Sequence, residues 1–218
     1  MIKYFLLTIT FYCILISCGQ IKSNNAITGL TIDKNIKTEV EKHISKSKEF
    51  DTLNNSNKMQ VYDNSVFAQS YENDSLYYNS YNYNSTDYIY IDKRVFESFY
   101  HLEGDTLKIE GAFGIYGGRG FVINIYKNKA TLYHLLSSGS YPTYAYKAKD
   151  SLTFRLEVPC TETKIVLSEI PDSAKKQIIY GYVEFKSRNY YATISDVNLR
   201  RNKHRDNMKI YFKSSLGL

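Results

Sequence analysis

Leu152-Thr153-Phe154-Arg155-Leu156-Glu157-Val158 alternates apolar and polar side chains at every step. A period of two belongs to an extended strand, whose successive side chains point to opposite faces of a sheet. Leu152, Phe154, Leu156 and Val158 are therefore expected on a buried face, with Thr153, Arg155 and Glu157 facing water. The same period runs through Leu107, Ile109 and Phe113, through Phe121, Ile123 and Ile125, and through Met208, Ile210 and Phe212. Lys127-Asn128-Lys129 and Ser187-Arg188-Asn189 read as hairpin connections, and Gly104-Asp105 and Gly117-Gly118 as turn pairs. Short connections favour antiparallel neighbours, because parallel strands need long crossovers. The expected fold class is all-β over residues 91–218, an antiparallel meander forming a β-barrel or a β-sandwich. Periodicity does not choose between the two closures.

Upstream the period lengthens. Ile36, Val40 and Ile44 recur every four residues among lysines and glutamates, which predicts a short helix within residues 31–50, with Asp33 as its N-cap. So thin a stripe needs a sheet to lie against. Residues 51–90 are rich in Asn, Ser and Tyr, as in Tyr77-Tyr78-Asn79-Ser80-Tyr81-Asn82. Asparagine and serine bond their own backbone and favour turns, so this segment reads as irregular, with one or two short strands such as Tyr88 to Ile91.

The N-terminus carries the most specific signal. Lys3 precedes a charge-free apolar run from Tyr4 to Ile16. A membrane-spanning helix needs about 20 apolar residues to cross a ~30 Å hydrocarbon core, so the run has the proportions of an export signal. It ends in Leu15-Ile16-Ser17-Cys18, which resembles the bacterial lipobox: an aliphatic residue, a tolerant position, a small residue, then cysteine. The resemblance implies diacylglyceryl transfer to the Cys18 sulfur and cleavage before it. Residues 1–17 would then be a lipoprotein signal peptide and 18–30 a lipidated tether. The segments Gly181-Tyr182-Val183-Glu184-Phe185 and Lys209-Ile210-Tyr211-Phe212-Lys213 are similar in style to uncharacterised Bacteroidetes-type lipoproteins. That likeness carries no site residues. The expected location is outside the cytoplasm, lipid-anchored to a bacterial membrane, the outer in preference to the inner.

Composition narrows the function classes. The 218 residues carry a formal charge of +6, no tryptophan and 22 tyrosines. The charge suits anionic lipid, lipopolysaccharide or glycan as partner, while export removes nucleic acid. Tyrosine is favoured at binding surfaces, although AT-rich coding supplies Tyr, Asn, Lys and Ile alike. With Cys18 lipidated, Cys160 is left without a disulfide partner in the mature chain. His43, His101, His134 and His204 have no metal-ligand spacing, so no metal or other cofactor is expected. Catalytic signatures are missing: there is no nucleophile elbow, zinc-protease helix motif or phosphate loop.

Two stretches remain as candidate contacts. Gly117, Gly118, Arg119 and Gly120 form either a glycine-relaxed hairpin or a ligand loop in which Arg119 meets an anionic group. Arg200, Arg201, Lys203 and Arg205 form either a solvated loop or a contact with an anionic surface. The expected function is a membrane-anchored envelope lipoprotein whose β domain binds a ligand or partner without catalysis. The alternative is an envelope enzyme acting on glycans or peptides. It would use carboxylates such as Glu103, Asp105, Glu110 and Glu157, and needs two of them about 5 to 10 Å apart.

Overall fold

A computed structural model describes residues 28–43, 60–61, 66–79, 95–113, 117–172, 175–193 and 200–217. The signal segment, Cys18 and the expected strand from Tyr88 to Ile91 lie outside them. The first half of the described chain forms β1 (Thr31–Ile32), helix α1 (Ile36–His43), β2 (Gln60–Val61), β3 (Val66–Glu72), β4 (Ser75–Asn79), β5 (Val95–Glu103) and β6 (Thr106–Phe113). It continues with β7 (Gly117–Tyr126), β8 (Lys129–Ser138), β9 (Tyr144–Ala145), β10 (Arg155–Leu167), β11 (Ile179–Ser187), β12 (Tyr190–Thr193) and β13 (Arg201–Leu216).

Seven of these strands close a hydrogen-bonded ring in the order β5-β6-β7-β8-β10-β11-β13 and back to β5. The ring makes the domain a barrel. Six of its pairings are antiparallel, as the short connections predict. The seventh is not. β13 and β5 run parallel, joined by Ser215 beside Phe99 and Leu216 beside Tyr100. The closure therefore links distant parts of the chain, where no hairpin is required.

Two long strands turn the corners. β10 pairs with β8 over Arg155–Pro159 and with β11 from Cys160 onward. A bulge between Thr161 and Lys164, with Glu162 at φ 50°, then bends the strand just after it has taken β11 as its partner. β10 starts at Arg155, so the alternating stretch belongs to it only in its second half; Thr153 makes a lone bridge to Tyr144, and Phe154 stays 52 % exposed. β13 carries β11 and β12 along one edge and β3 along the other.

Several local expectations are corrected. β11 and β12 both run antiparallel to β13 in nearly continuous register, so Ser187-Arg188-Asn189 is an interruption in one bent strand and not a hairpin. Gly117 and Gly118 pair with Ser138 and Ser137 inside β7, so they are strand residues and not a turn. The basic run from Arg201 to Arg205 lies in β13 and is no loop. Residues 51–90 contain the β3–β4 hairpin, whose turn residues Asn73 and Asp74 have φ 46° and 67°. That double positive φ is the geometry of a tight hairpin turn, and Asn and Asp tolerate it. Because β1 and β3 pair with β10 and β13, the sheet also begins well before residue 91. By contrast, Lys127-Asn128 and Gly104-Asp105 do connect antiparallel neighbours, with Gly104 at φ 60°.

The inward positions supply the core. Tyr100, Ile109, Phe121, Ile165, Phe185 and Phe212 come from six strands and are almost wholly buried in one cluster. Each such side chain contributes roughly 1.5–3 kcal/mol on burial. The Tyr100 hydroxyl donates to the carbonyls of Gln177 and Lys175 at 2.9 and 3.1 Å, which ties the connection before β11 to β5. Helix α1 lies on the outer face, where Ile36 and Val40 pack with Val166 and Tyr182. Asp33 starts its first turn: the side chain accepts the Asn35 N–H at 2.9 Å and the carbonyl that of Ile36 at 3.2 Å. The thin stripe has found its sheet.

Candidate functional site

On β13, the inward positions that hold Met208, Ile210 and Phe212 continue back to Asp206. A carboxylate is thereby carried into the barrel, 1 % exposed. On β8 the same parity takes Ala130 and Leu132 on to His134, which is 0 % exposed. β12 contributes Tyr190, β7 Arg119 and β3 Ser70.

These five side chains meet. Asp206 Oδ2 accepts from His134 Nε2 at 2.7 Å and from the Tyr190 hydroxyl at 2.8 Å. Asp206 Oδ1 accepts from Arg119 Nη1 at 3.2 Å, and the same nitrogen donates to Ser70 Oγ at 2.7 Å. The Asp206 backbone N–H donates to Ser187 Oγ at 2.8 Å. A buried carboxylate without such donors would cost several kcal/mol. Burial alone would raise the Asp206 carboxyl, but the Arg119 guanidinium, with His134 and Ser70, holds it well below the usual carboxylate range. Burial and the neighbouring Asp206 charge push the Tyr190 phenol well above its ordinary value. His134 Nδ1 lies 2.9 Å from the Gly120 carbonyl, so both ring nitrogens face acceptors. The ring is thereby fixed between the β13 carboxylate and the β7 backbone.

On β8 this polar layer falls between Leu132, in the main core, and Leu136, in a second cluster with Leu156, Val158 and Tyr190. Beyond it the barrel end is polar. Asn202 Nδ2 donates to Glu72 Oε1 at 2.8 Å, and His204 stacks on Tyr190 with ring centroids 5.6 Å apart. Burial lowers the His204 pKa and keeps that imidazole neutral near pH 7.

The residues singled out in the sequence divide. Gly117, Gly118, Arg119 and Gly120 are all strand positions of β7, and of the four Arg119 reaches the cluster through its side chain. Its side chain is 36 % exposed, so it joins the buried layer to solvent. The basic run is spread over local partners. Arg201 Nη1 donates to the carbonyls of Ala148 and Asp150, Lys203 pairs with Asp74 at 2.5 Å, and the Arg205 guanidinium lies 4.0 Å from the Tyr71 ring centroid. Arg200 also has an interaction partner.

Three of the four acidic candidates converge, Asp105 apart, but they converge on cations. Lys108 Nζ lies 2.9, 3.5 and 3.8 Å from Glu103, Glu110 and Glu157, and Arg155 Nη2 lies 2.9 and 3.0 Å from Glu110 and Glu157. Burial pushes the Cys160 thiol far up, and its Sγ sits 3.7 Å from the Val158 carbonyl, which makes it a poor nucleophile. A cleft of about 390 Å³ opens over β3, β13, β11 and β10, lined by Gln69, Lys164, Glu184, Asn207 and Lys209. Within it Lys209 pairs with Glu184 at 3.1 Å and Lys186 with Glu162 at 2.6 Å, and Lys164 lies over the Tyr182 ring. Among the described residues no group of His, Cys, Asp or Glu could hold a metal ion.

Asp206, His134, Tyr190 and Ser70 escaped the sequence reading. One signal was present: a charged or polar residue at the inward parity of an otherwise apolar strand, as in Asp206 before Met208 and Ile210. No protein-family model, curated protein or solved structure matches the chain with significance.

Proposed function

We propose that the chain is an exported lipoprotein, held in a bacterial membrane by lipid on Cys18, whose barrel binds a ligand or partner without catalysis. The observation that carries it is Leu15-Ile16-Ser17-Cys18 at the end of a charge-free run preceded by Lys3. A single acyl chain anchors a protein only reversibly, at about 0.8 kcal/mol per buried methylene, so the two or three chains of a lipoprotein cysteine make the attachment stable. Among the described residues no helix is long and apolar enough to cross a membrane. Binding is favoured over chemistry by the pairing of Glu103, Glu110 and Glu157 with cations and by the depressed reactivity of Cys160. The outer membrane is the proposed site, and an anionic lipid, lipopolysaccharide or glycan the proposed class of partner.

Metabolic labelling with palmitate tests the anchor. Wild-type chain should take up label and fractionate with membranes, and Cys18→Ser should lose both. Undiminished label in Cys18→Ser would sink the proposal.

A further inference from the structure

The chain enters the barrel at one end. The Thr28 N–H donates to the Asn128 carbonyl and its own carbonyl accepts from Ala130, both at 2.9 Å, so residue 28 sits at the β7–β8 turn. Arg119 is at the other end of β7, paired with Leu136 near the close of β8. From Arg119 to Tyr126 the strand spans roughly 20–25 Å. Thr28 is the tenth residue after Cys18, a reach of at most roughly 35 Å. That reach exceeds the length of the strand, so an anchor on Cys18 leaves the Arg119 end free to meet a soluble ligand or a headgroup.

We propose that this far end binds an oxyanion, a carboxylate or phosphate group, on the guanidinium of Arg119. The inference rests on the reading of the barrel as a binding module and names its site. Three features carry it. First, among the described residues the hydrogen bonds of the Arg119 guanidinium run through Nη1 alone, to Ser70 and Asp206. Its remaining N–H groups form a planar fork suited to two oxygens of one anion. Second, Asp206 engages the guanidinium through a single 3.2 Å bond from Nη1, its other oxygen being taken by His134 Nε2 at 2.7 Å and the Tyr190 hydroxyl at 2.8 Å. The other carboxylate nearby, Glu72, accepts from Asn202. Among the described residues at this end, Arg119, Arg201, Lys203 and Arg205 stand with Arg200 against Glu72, Asp74, Asp150 and Asp206, a balance that stays positive although the basic residues have local partners. Third, the Tyr77 and Tyr144 phenols lie within electrostatic range of the guanidinium. Tyr77 is 72 % exposed, and the Tyr144 hydroxyl makes only a long 3.5 Å bond to the Ser137 carbonyl. Both can turn a donor toward a bound anion.

The test titrates the full chain with inorganic phosphate and with acetate at constant ionic strength, following side-chain N–H resonances of arginine by NMR. A saturable shift of the Arg119 signal is expected. Affinity should fall at least tenfold in Arg119→Gln, partly recover in Arg119→Lys, and drop a few-fold in the exposed variant Tyr77→Ala. No saturable shift in wild type overturns the inference, as does unchanged affinity in a folded Arg119→Gln. Should Arg119→Gln fail to fold, unchanged affinity in both Arg119→Lys and Tyr77→Ala overturns it instead. Phosphatidylglycerol vesicles separate the sources: capture by vesicles, displaced by phosphate, assigns the anion to a lipid headgroup, and phosphate binding without capture assigns it to a soluble ligand. If neither anion binds yet the chain still retains an envelope glycan, the Arg119 site falls and the binding-module reading stands.

Discussion

Asp206 is the residue on which the inside of the barrel turns. Its carboxylate accepts from Arg119, His134 and Tyr190, which come from three different strands. Asp206→Asn keeps the shape but leaves the Arg119 guanidinium without its buried counter-charge. The expected loss is about 3–5 kcal/mol of unfolding free energy, measured by urea denaturation. The pH dependence follows from the direction of the shift. The Asp206 carboxyl is depressed in the folded state, so its stabilisation is complete above the unfolded pKa of about 3.9 and is lost as pH falls toward the folded value. Tyr190 is raised by burial and by Asp206, so its stabilisation is present below about pH 10 and is lost as pH climbs beyond it. Burial lowers the His204 pKa, so the unfolded chain takes up a proton below about pH 6.5 that the folded chain does not. Urea midpoints should therefore be flat from about pH 7 to pH 9, decline above that, and decline below it, through His204 first and Asp206 at lower pH. The acid limb should flatten in Asp206→Asn. An acid limb identical to wild type would contradict the assignment. Tyr190→Phe should soften the alkaline limb only in part, because burial also raises Tyr100, Tyr144 and Tyr146.

Among the elements, the β6–β7 and β11–β13 pairs are held close by glycine. A Cβ added at Gly120 would stand 1.8 Å from the Gly111 carbonyl oxygen, and one added at Gly181 would stand 2.2 Å from Phe212 Cζ. The obstacle at Gly120 is backbone in the neighbouring strand, which cannot step aside without breaking the ladder between Ala112 and Gly120. At Gly181 it is the far end of a ring. Gly181→Ala should cost about 1–3 kcal/mol and Gly120→Ala more than that, with midpoints of thermal unfolding falling in the same order. The reverse order would mean that the β6–β7 ladder yields more easily than the Phe212 ring.

At the scale of the molecule, the barrel depends on a short seam. Two residue pairs join β13 to β5, supplemented by the Gly217 N–H donating to the Tyr100 carbonyl at 2.8 Å. A chain ending at Ser214 should keep a β-dominated circular dichroism spectrum, since the other six ring pairings remain. Amide exchange in β5 near Phe99 and Tyr100 should accelerate, and the urea midpoint should fall. Unchanged protection in β5 would show that the ring closes by other contacts.

The strands themselves could be read from residue order, because the period of two in Phe121-Ile123-Ile125 or Met208-Ile210-Phe212 is a local property of the backbone pleat. So could helix α1, whose four-residue spacing of Ile36 and Val40 marks a single face. The Arg119 position was visible as a charge among glycines, but only as one of two readings. Which edge meets which was not visible. Ser187-Arg188-Asn189 has the turn residues of a hairpin, yet β13 runs past both sides of it and makes it a bulge, since turn propensity does not specify a strand's partner. The same holds for the β5–β13 seam and for the Asp206 cluster, whose members share no spacing along the chain. They share a parity, inward, and a common height in a closed ring. Parity is written in the sequence, whereas height around the ring is set by the registers of seven strands acting together, which only the tertiary structure decides.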